Sequence, residues 1–318
     1  MKTVMMLCSF LLLNVLAAAD LAEKAQALLN NAQADSITVR AENSVLYSIN
    51  ELKHLAKGEL VNGRVVQISS CKRAANADPL PALKNFNDEL KALGIELIIV
   101  PVPPKLSAMP CNGFQALEAV KYLQDYYKEL RSCGLNVLDI SESFPASAGN
   151  LYCRTDAHWS PEGMELTADL LAKLIPLRGE TVFAAQPRTL TISGDLARSC
   201  QSSDSETLTC YEVTGNVLSE DSPILLIGDS HCLIFSAGGD MLATNAGLAE
   251  RLAVKLQMPI DRIAVRGSAS TAVRLNLYRK VVKKVDYLRN KKYVIYCFSA
   301  REFTESTTGW AKVPVVKK

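Results

Sequence analysis

The sequence predicts an α/β protein built on a mainly parallel sheet with helices on both faces. Its 318 residues alternate between short apolar runs and longer stretches in which apolar residues recur at helical spacing. The apolar runs lack the strict two-residue alternation of half-exposed strands, as expected of parallel strands that are covered on both faces. Strands that alternate with helices along a chain favour a parallel sheet, because each crossover returns the chain to the same end of the sheet.

In chain order, the apolar runs predict strands at residues 64–68, 95–100, 136–140, 224–227, 262–265 and 293–298. The stretches between them predict helices at residues 81–93, 114–131, 161–174, 247–257 and 272–288. Ser160 and Pro161 mark one helix start, since serine caps a helix N-terminus and proline is tolerated in the first turn. Residues 181–217 break the alternation. Short β segments at 188–192 and 207–213 surround a polar loop there and predict a small β-rich insertion packed on the sheet.

Residues 1–19 have the features of a secretory signal peptide. Lys2 supplies a positive charge, residues 4–16 are almost uninterrupted apolar, and three alanines at 17–19 offer a cleavage site before Asp20. A membrane anchor is the alternative, but the stretch is shorter than the ~20 apolar residues of a spanning helix. We therefore predict a periplasmic or secreted protein that is not an integral membrane protein.

The rest of the chain divides into three parts. Residues 20–44 form an N-terminal helical segment, with an exposed amphipathic helix predicted at 20–34. Residues 45–305 form the main domain, which includes the insertion at about 181–217, and residues 306–318 form a C-terminal tail.

Cysteine usage agrees with export. Loss of Cys8 with the signal peptide leaves eight of the nine cysteines, and an even number permits disulfides in an oxidising compartment. Cys200 and Cys210 bracket a polar loop and are the pair that we expect to be bonded. Cys232 and Cys297 lie in or beside apolar strands, so we expect buried free thiols there. No C-x-x-C spacing occurs, and a structural zinc site is therefore not expected.

The charges of the chain nearly balance. Lys and Arg number 35 against 33 for Asp and Glu, so no strong positive field favours nucleic acid as a partner.

Two short segments carry the chemistry. Gly-Asp-Ser-His at residues 228–231 follows the predicted strand 224–227, and the carboxyl ends of strands are where open α/β sheets bind their ligands. A serine hydroxyl becomes a strong nucleophile when a histidine, oriented by a carboxylate, removes its proton. Asp-Ala-His-Trp at residues 156–159 supplies such a pair. The sequence therefore predicts Ser230 as nucleophile, His158 as base and Asp156 as the group that orients the base.

Histidine is scarce, and the other two histidines are weaker candidates for the base. The chain contains three histidines in all. His54 lies in a polar helical context and is predicted to be on the surface. His231 adjoins Ser230, and neighbours on a tight turn rarely direct their side chains at one another.

A metal site is the alternative reading of the same residues. The pairs Asp156/His158 and Asp229/His231 would together supply four nitrogen and oxygen ligands. This alternative leaves Ser230 without a role, so we favour the nucleophile.

Further candidates for the site follow strand ends or adjoin the Asp-x-His segment. Lys105 follows a predicted strand and is expected to point into the same cleft, with a rigid surface loop as the alternative. Tyr152 and Arg154 precede the Asp-x-His segment and either line the cleft or pack in the fold. Gly267 either lets the backbone approach an oxyanion or is an ordinary turn glycine, and Arg301 follows the last predicted strand.

The pattern resembles the AlgX/AlgJ-type SGNH-hydrolase-like domain of the alginate O-acetyltransferases. The resembling pieces are Pro-Val-Pro-Pro-Lys at 101–105, the stretch 152–163 around Asp-x-His-Trp, Gly-Asp-Leu at 194–196 and Gly-Asp-Ser-His at 228–231. They occur in family order across residues 45–305, and the Asp-x-His-Trp block is the most specific. The resemblance implies a three-layer fold in which the Asp-x-His precedes the serine, and a Ser230–His158–Asp156 triad.

The resemblance also implies an activity and its partners. These are transfer of acetyl groups to hydroxyls of an exopolysaccharide, with a membrane acyltransferase as the acetyl donor and no cofactor. No separate carbohydrate-binding module is evident after residue 305, so the polymer stays open. A carbohydrate acetyl esterase of the same fold and a non-catalytic polysaccharide-binding subunit of an export complex are the alternatives.

Overall fold

The computed structural model describes residues 21–33, 36–41, 44–111, 113–114, 118–144 and 151–317. The predicted signal peptide lies outside them. The helices are α1 (residues 21–30), α2 (Ile49–Ala56), α3 (Arg64–Gln67), α4 (Pro79–Ala92), α5 (Glu118–Ser132), α6 (Pro161–Leu174), α7 (Asp195–Ser199), α8 (Leu248–Leu256), α9 (Ala272–Lys283) and α10 (Glu302–Glu305). The strands are β1 (Thr38–Arg40), β2 (Leu46–Ser48), β3 (Glu96–Val102), β4 (Ala185–Ile192), β5 (Glu206–Val213), β6 (Ile224–Gly228), β7 (Asp261–Ala264) and β8 (Tyr293–Ser299).

A four-stranded parallel sheet forms the centre, in the spatial order β3-β8-β6-β7. Successive residues of its strands alternate between two hydrophobic cores. In β6, Leu225 and Ile227 contribute to one core, and Ile224 and Leu226 to the other. Helices α1, α2, α4, α5 and α9 cover the first core, and α6 and α8 cover the second. The predicted α/β class with a mainly parallel sheet in three layers is confirmed.

Two antiparallel pairs lie outside the central sheet. Strands β1 and β2 pair near the N-terminus, and β4 and β5 form the hairpin of the predicted insertion. Helix α6 begins at Pro161, where the Ser160 hydroxyl accepts a hydrogen bond from the N–H of Gly163 at 3.2 Å. Its observed bounds match the predicted 161–174. No helix of the described part of the chain is long and apolar enough to span a membrane.

Two predicted strands are wrong. Residues 64–68 form the short helix α3, in which Val65 is buried but Val66 is 37% exposed. The preceding Gly63 has a φ of +74°, so the chain turns there instead of entering the sheet in an extended conformation. Residues 136–140 contribute only one β-bridge, from Val137 to Ile99, before Asp139 caps a 3₁₀ turn.

The segments at both ends of the chain pack on the main domain. Leu21, Ala25 and Leu28 of α1 are buried in the first core, so the helix is amphipathic as predicted but not exposed. After residue 305, Trp310 and Val315 are buried in the same core. The domain boundaries at 45 and 305 stay predictions.

His54 is buried, not on the surface as predicted. It is 0% exposed, and its Nδ1 lies 2.7 Å from the hydroxyl of Thr304. Helix α2 buries the face that carries His54 together with Leu52 and Leu55, because α10 packs against it. Burial, reinforced by the charges of Lys57 and Arg301, lowers the pKa of His54 to about 3.

The predicted Cys200–Cys210 disulfide is not formed. Cys200 is an exposed free thiol at the C-terminal end of α7, whereas Cys210 is buried in the second core from β5. The two side chains therefore lie in different environments. Cys232 and Cys297 are buried free thiols, as predicted.

Candidate active site

The parallel sheet brings four of the predicted site residues to one edge. Lys105 follows β3, Ser230 follows β6, Gly267 follows β7 and Arg301 follows β8. Because the carboxyl ends of parallel strands meet at the same edge, these residues converge there although they are far apart in sequence.

Ser230 begins a 3₁₀ turn directly after β6. The Asp229 side chain caps that turn by accepting the N–H of His231 at 2.9 Å. Glycine is required at residue 228, because a Cβ there would lie 1.9 Å from the carbonyl oxygen of Cys297 in the neighbouring strand. The tight approach of β6 to β8 therefore fixes where the turn begins, and it leaves the Ser230 side chain partly exposed.

A compact loop presents the Asp-x-His pair. Tyr152 and Trp159 form an antiparallel bridge, and the N–H of Cys153 donates to the carbonyl of His158 at 3.2 Å. Ser160 then starts α6, so the loop is held by pairing at its base and by a capped helix at its exit.

The serine, histidine and aspartate form one continuous chain of hydrogen bonds. The Oγ of Ser230 lies 2.7 Å from Nε2 of His158, and Nδ1 of His158 lies 2.6 Å from Oδ1 of Asp156. A carboxylate only accepts, so the His158 Nδ1 carries the hydrogen and its Nε2 is free to accept the serine proton. His158 is 6% exposed and Asp156 0% exposed.

The environment favours a charged aspartate beside a basic histidine. Burial opposes ionisation of Asp156, but the hydrogen bond and charge of His158 and the N–H groups of Asp195 and His158 hold its pKa well below the ordinary value. Burial also opposes a charge on His158, but the hydrogen bond and the charge of Asp156 outweigh it and raise the pKa of His158. The carboxylate therefore stabilises the imidazolium.

The site lies in a domain that matches a known family. The family described as the SGNH hydrolase-like domain of acetyltransferase AlgX matches residues 64–281 of the chain, which is more than half of its length. The chain belongs to this family. Asp156, His158 and Ser230 all lie within the matched residues, and the predicted resemblance is confirmed.

Individual proteins that are similar to this chain include AlgJ and AlgX. A probable alginate O-acetylase AlgJ from Pseudomonas syringae pv. tomato is 31% identical over 132 residues, which cover 38% of this chain and 34% of the relative. The chain thus matches about a third of that protein's length. The O-acetyltransferase domain of Pseudomonas putida AlgJ has a similar fold, with a TM-score of 0.61 at 19% identity, over 85% of this chain and 92% of that domain. Pseudomonas aeruginosa AlgX aligns with a TM-score of 0.57 at 21% identity, over 82% of this chain and 61% of AlgX.

Lys105 does not line the cleft of this AlgX-type domain, contrary to the prediction. It is 0% exposed, and its ammonium group donates to the backbone carbonyls of Leu46 at 2.6 Å and of Arg154 and Asp156 at 3.0 Å. Burial, only partly offset by neighbouring acidic groups, lowers the pKa of Lys105 to about 8. Lys105 thus links the backbone of Arg154 and Asp156 to β2 through hydrogen bonds.

Tyr152 and Arg154 lie beside a polar cleft of about 530 Å³. The cleft is also lined by Glu162 and residues 205–209 of the hairpin region. Tyr152 is buried and its hydroxyl donates to the carbonyl of Pro103, whereas Arg154 is exposed. The contact of either residue with substrate stays a prediction.

The positions of Gly267 and Arg301 agree with roles that stay predictions. Gly267 has a φ of +83° in the turn after β7, a conformation that other residues rarely adopt. Arg301 precedes α10, and its positive charge reaches the buried side chains of Glu51 and His231.

Sequence reasoning missed two acidic residues that hold the Asp-x-His loop. The N–H of Asp195 donates to Oδ2 of Asp156 at 2.8 Å, and its carboxylate accepts the N–H of Ala157 at 2.8 Å. Glu206 accepts the N–H groups of Arg154 and Thr155 at 2.9 and 2.7 Å. The Gly-Asp-Leu block at 194–196 was a usable signal for Asp195, but Glu206 lies in an unremarkable strand.

Close approach explains the glycine of that block. A Cβ on Gly194 would lie 2.4 Å from the carbonyl carbon and oxygen of Thr155 and 2.5 Å from Cβ of Asp156. Only glycine therefore lets the start of α7 reach the Asp156 carboxylate.

A second aspartate–histidine pair adjoins the first. Oδ1 of Asp229 accepts from Nδ1 of His231 at 2.9 Å, and its Oδ2 accepts the N–H of Ser299 at 2.7 Å. The His231 side chain therefore bonds to Asp229 and not to Ser230.

The alternative metal site with four ligands is not formed in the described part of the chain. There, the acidic and histidine side chains whose ligand atoms lie within 4.8 Å of one another are Asp156, His158 and Asp195. Both ring nitrogens of His158 are hydrogen-bonded within the protein, to Asp156 and Ser230. A cation would have to displace one of those bonds, so these residues fit proton transfer better than metal binding.

Proposed function

We propose that this protein is a serine-dependent O-acetyltransferase that modifies polysaccharide hydroxyl groups through an acetyl-serine intermediate. The observation that carries the proposal is the hydrogen-bonded Ser230–His158–Asp156 chain in a domain of the AlgX family. Although burial opposes it, the hydrogen bond and charge of His158 hold the pKa of Asp156 well below its ordinary value, so a carboxylate faces the imidazolium that forms when His158 takes a proton.

The first half of the proposed reaction forms the intermediate. His158 Nε2 takes the proton of Ser230 as its Oγ attacks the carbonyl carbon of an acetyl donor. The tetrahedral intermediate collapses when the bond to the donor oxygen breaks, and that oxygen takes the proton from His158. Ser230 is left as an acetyl ester, and Asp156 stabilises the imidazolium during the step.

The second half transfers the acetyl group. A sugar hydroxyl gives its proton to His158 and attacks the acetyl-serine, which restores the Ser230 hydroxyl and leaves an acetyl ester on the sugar. In both halves of the reaction, we propose that the oxyanion accepts hydrogen bonds from the N–H of Ser230, at the first position of its turn, and from the backbone at Gly267. N–H groups in the first turn of a helical segment lack partners within that segment and so face outward.

The family supports a proposal for the substrate and the location. The curated relatives are named probable alginate O-acetylases, so we propose that the acceptor is an exported polysaccharide. We also propose a membrane acyltransferase as the acetyl donor. We propose that the chain is exported, as residues 1–19 predict.

Substitution of the three residues tests the mechanism. We expect Ser230→Ala, His158→Ala and Asp156→Ala each to lower kcat/KM for p-nitrophenyl acetate by roughly 10³-fold or more, because the three groups act as a unit. Ser132→Ala, on the exposed face of α5, is the matched control and should keep full activity. Near-wild-type turnover by Ser230→Ala would exclude the acetyl-serine.

Product analysis separates transfer from hydrolysis. An acetyl esterase would form the same intermediate and pass the acetyl group to water, so the triad variants do not distinguish the two. We expect oligosaccharides incubated with the enzyme and an acetyl donor to gain the mass of whole acetyl groups, and Ser230→Ala to abolish the gain. Release of acetate without any acetylated sugar would favour the esterase. A protein that only binds polysaccharide would give neither product.

A further inference from the structure

The second aspartate–histidine pair, Asp229 and His231, takes no part in the proposed acetyl transfer. Both side chains are buried, at 2% and 4% exposure. The Asp229 carboxylate accepts hydrogen bonds from the backbone N–H and the Nδ1 of His231 and from the N–H of Ser299. A buried pair with this many hydrogen bonds has a fixed geometry, because any rearrangement leaves donors unpaired.

The His231 ring lies between the proposed base and a tryptophan. Its centroid is 4.9 Å from that of His158 and 5.2 Å from that of Trp159, with edge-to-face angles of 61° and 82°. These are favourable distances for aromatic pairs. His231 therefore supports the side of the His158 ring, whereas Asp156 and Ser230 hold its two nitrogens.

The charges within the pair are unequal. Burial opposes ionisation of Asp229, but the His231 ring and the N–H of Ser299 hold the pKa of Asp229 below its ordinary value. Burial lowers the pKa of His231, and the nearby charges of His158 and Arg301 lower it further against the attraction of Asp229. The pair thus contains an anionic carboxylate and a neutral imidazole, and the Asp229 charge acts on His158.

We propose that Asp229 and His231 are positioning residues for the base: the His231 ring fixes the orientation of the His158 ring, and Asp229 supplies a second buried negative charge that stabilises the His158 imidazolium. The inference rests on the proposed role of His158. It assigns no contact between the pair and the substrate. The other charged groups around the two histidines are Asp156, Asp195, Glu51 and Arg301.

Direct titration of the histidines tests the charge assignment. The chain has only three histidines, so ¹⁵N-histidine spectra of the wild-type protein contain three imidazoles to resolve. Loss of a signal in His54→Phe and in His231→Phe assigns them. We expect the midpoint of His158 to lie above that of an ordinary histidine and the midpoint of His231 to lie below it, with the hydrogen of neutral His231 on Nδ1. Protonation of His231 at or above the midpoint of His158, or a hydrogen on Nε2, would overturn the proposal.

The Asp229→Asn variant tests the second negative charge. We expect the His158 midpoint to fall by about one pH unit, because a nearby negative charge is removed. Asp261→Asn removes another buried carboxylate, at the opposite end of the sheet, and should leave that midpoint unchanged. An unchanged His158 midpoint in folded Asp229→Asn would contradict the role of Asp229.

Ring substitutions test the positioning role. We expect His231→Ala to lower kcat for p-nitrophenyl acetate about 10-fold to 100-fold with little change in KM, since a misplaced catalytic group costs rate at that scale. His231→Phe keeps a ring between His158 and Trp159 and should recover most of the loss. His54→Ala, at another buried neutral histidine, should lose stability but keep kcat. Equal kcat values for His231→Ala and the wild type would exclude a positioning role.

The two proposals fail separately. If Ser230→Ala stays active, the acetyl-serine is excluded, but the titration of His158 and its dependence on Asp229 are still measured. If the triad variants are inactive and His231→Ala is fully active, only the present inference is excluded.

Discussion

Lys105 is a buried cation that contacts backbone oxygens instead of a ligand. Its ammonium group donates to three carbonyls, including those of Arg154 and Asp156, so a single side chain connects β2 to the segment that orients the base. Without the ammonium group, each of those carbonyls would lose a donor, although the carbonyl of Arg154 would still accept the N–H of Leu46 at 3.2 Å. A buried polar group without a partner costs roughly 1–3 kcal/mol.

We expect Lys105→Met to lower both stability and turnover. The three freed carbonyls should shift the Asp156 backbone, and kcat for p-nitrophenyl acetate should fall about 10-fold to 100-fold. Lys291→Met is the matched control. Lys291 is 2% exposed and also donates to backbone carbonyls, of Glu220 and Ser222, at the opposite end of the sheet. Lys291→Met should lower the melting temperature, while the folded variant keeps the wild-type kcat. A similar loss of kcat in both variants would show that Lys105 has no specific role.

At this scale, the sequence predicted the contact among Ser230, His158 and Asp156 better than the groups that hold them. That contact was predictable because the proposed chemistry is specific to a few residue types. The burial of Lys105 and the contacts of Glu206 depend on where distant segments cross, and residue type does not encode that path. The prediction that His54 lies on the surface was wrong for the same reason, because a short polar stretch of helix gives no sign that α10 covers it.

Helix α7 has five residues, yet its first N–H group, that of Asp195, donates to the Asp156 carboxylate. This hydrogen bond depends on the close approach of Gly194 to the backbone of Thr155 and Asp156. Main-chain atoms line that gap, so it cannot widen by a rotamer change.

We therefore expect Gly194→Ala to reduce activity strongly. The new methyl group would overlap the Thr155 carbonyl and push α7 away from Asp156, which would raise the pKa of Asp156 and lower kcat by about 10-fold or more. Gly179→Ala is a control of equal severity, because its Cβ would lie 2.2 Å from the carbonyl oxygen of Gln257, at the C-terminal end of α8. Measured by activity and thermal denaturation, Gly179→Ala should lose stability only. Full activity in Gly194→Ala would refute this role of the glycine.

Among the elements, most of the predicted strands and helices are present, and the two wrong predictions are short apolar segments. Helix α6 was bounded correctly because its serine cap and proline are local signals. The segment at 64–68 has strand-like composition, but a glycine with positive φ and an exposed Val66 make it one helical turn. For four or five residues, packing decides the conformation more than propensity does.

Over the whole molecule, buried histidine couples folding to pH. The pKa of His54 is about 3 in the folded protein against an ordinary value of 6.5. The unfolded chain therefore binds an extra proton between those two values. The resulting stabilisation of the fold is fully present above pH 6.5 and is lost as the pH falls towards 3.

We expect acid destabilisation to be weaker in His54→Phe than in the wild type. From pH 6.5 to pH 4, the wild-type free energy of unfolding should fall by about 3 kcal/mol more than that of the variant, at 1.36 kcal/mol per pH unit. Urea denaturation at a series of pH values measures the difference. Parallel pH dependences for the two proteins would show that His54 is not the group responsible.

The order of strands in the central sheet also determines when the sheet can be completed during synthesis. Strand β8 is the last to be synthesised, yet it lies between β3 and β6 and pairs with both. Until residues 293–299 have left the ribosome, the sheet exists only as the separate edge β3 and the pair β6–β7, each with unpaired backbone groups. The pairing of β6, which Ser230 follows, with the rest of the sheet therefore depends on a single late segment. A chain of this topology can complete its central sheet only after β8 has been synthesised, so every fully folded molecule has been translated through the last strand of that sheet.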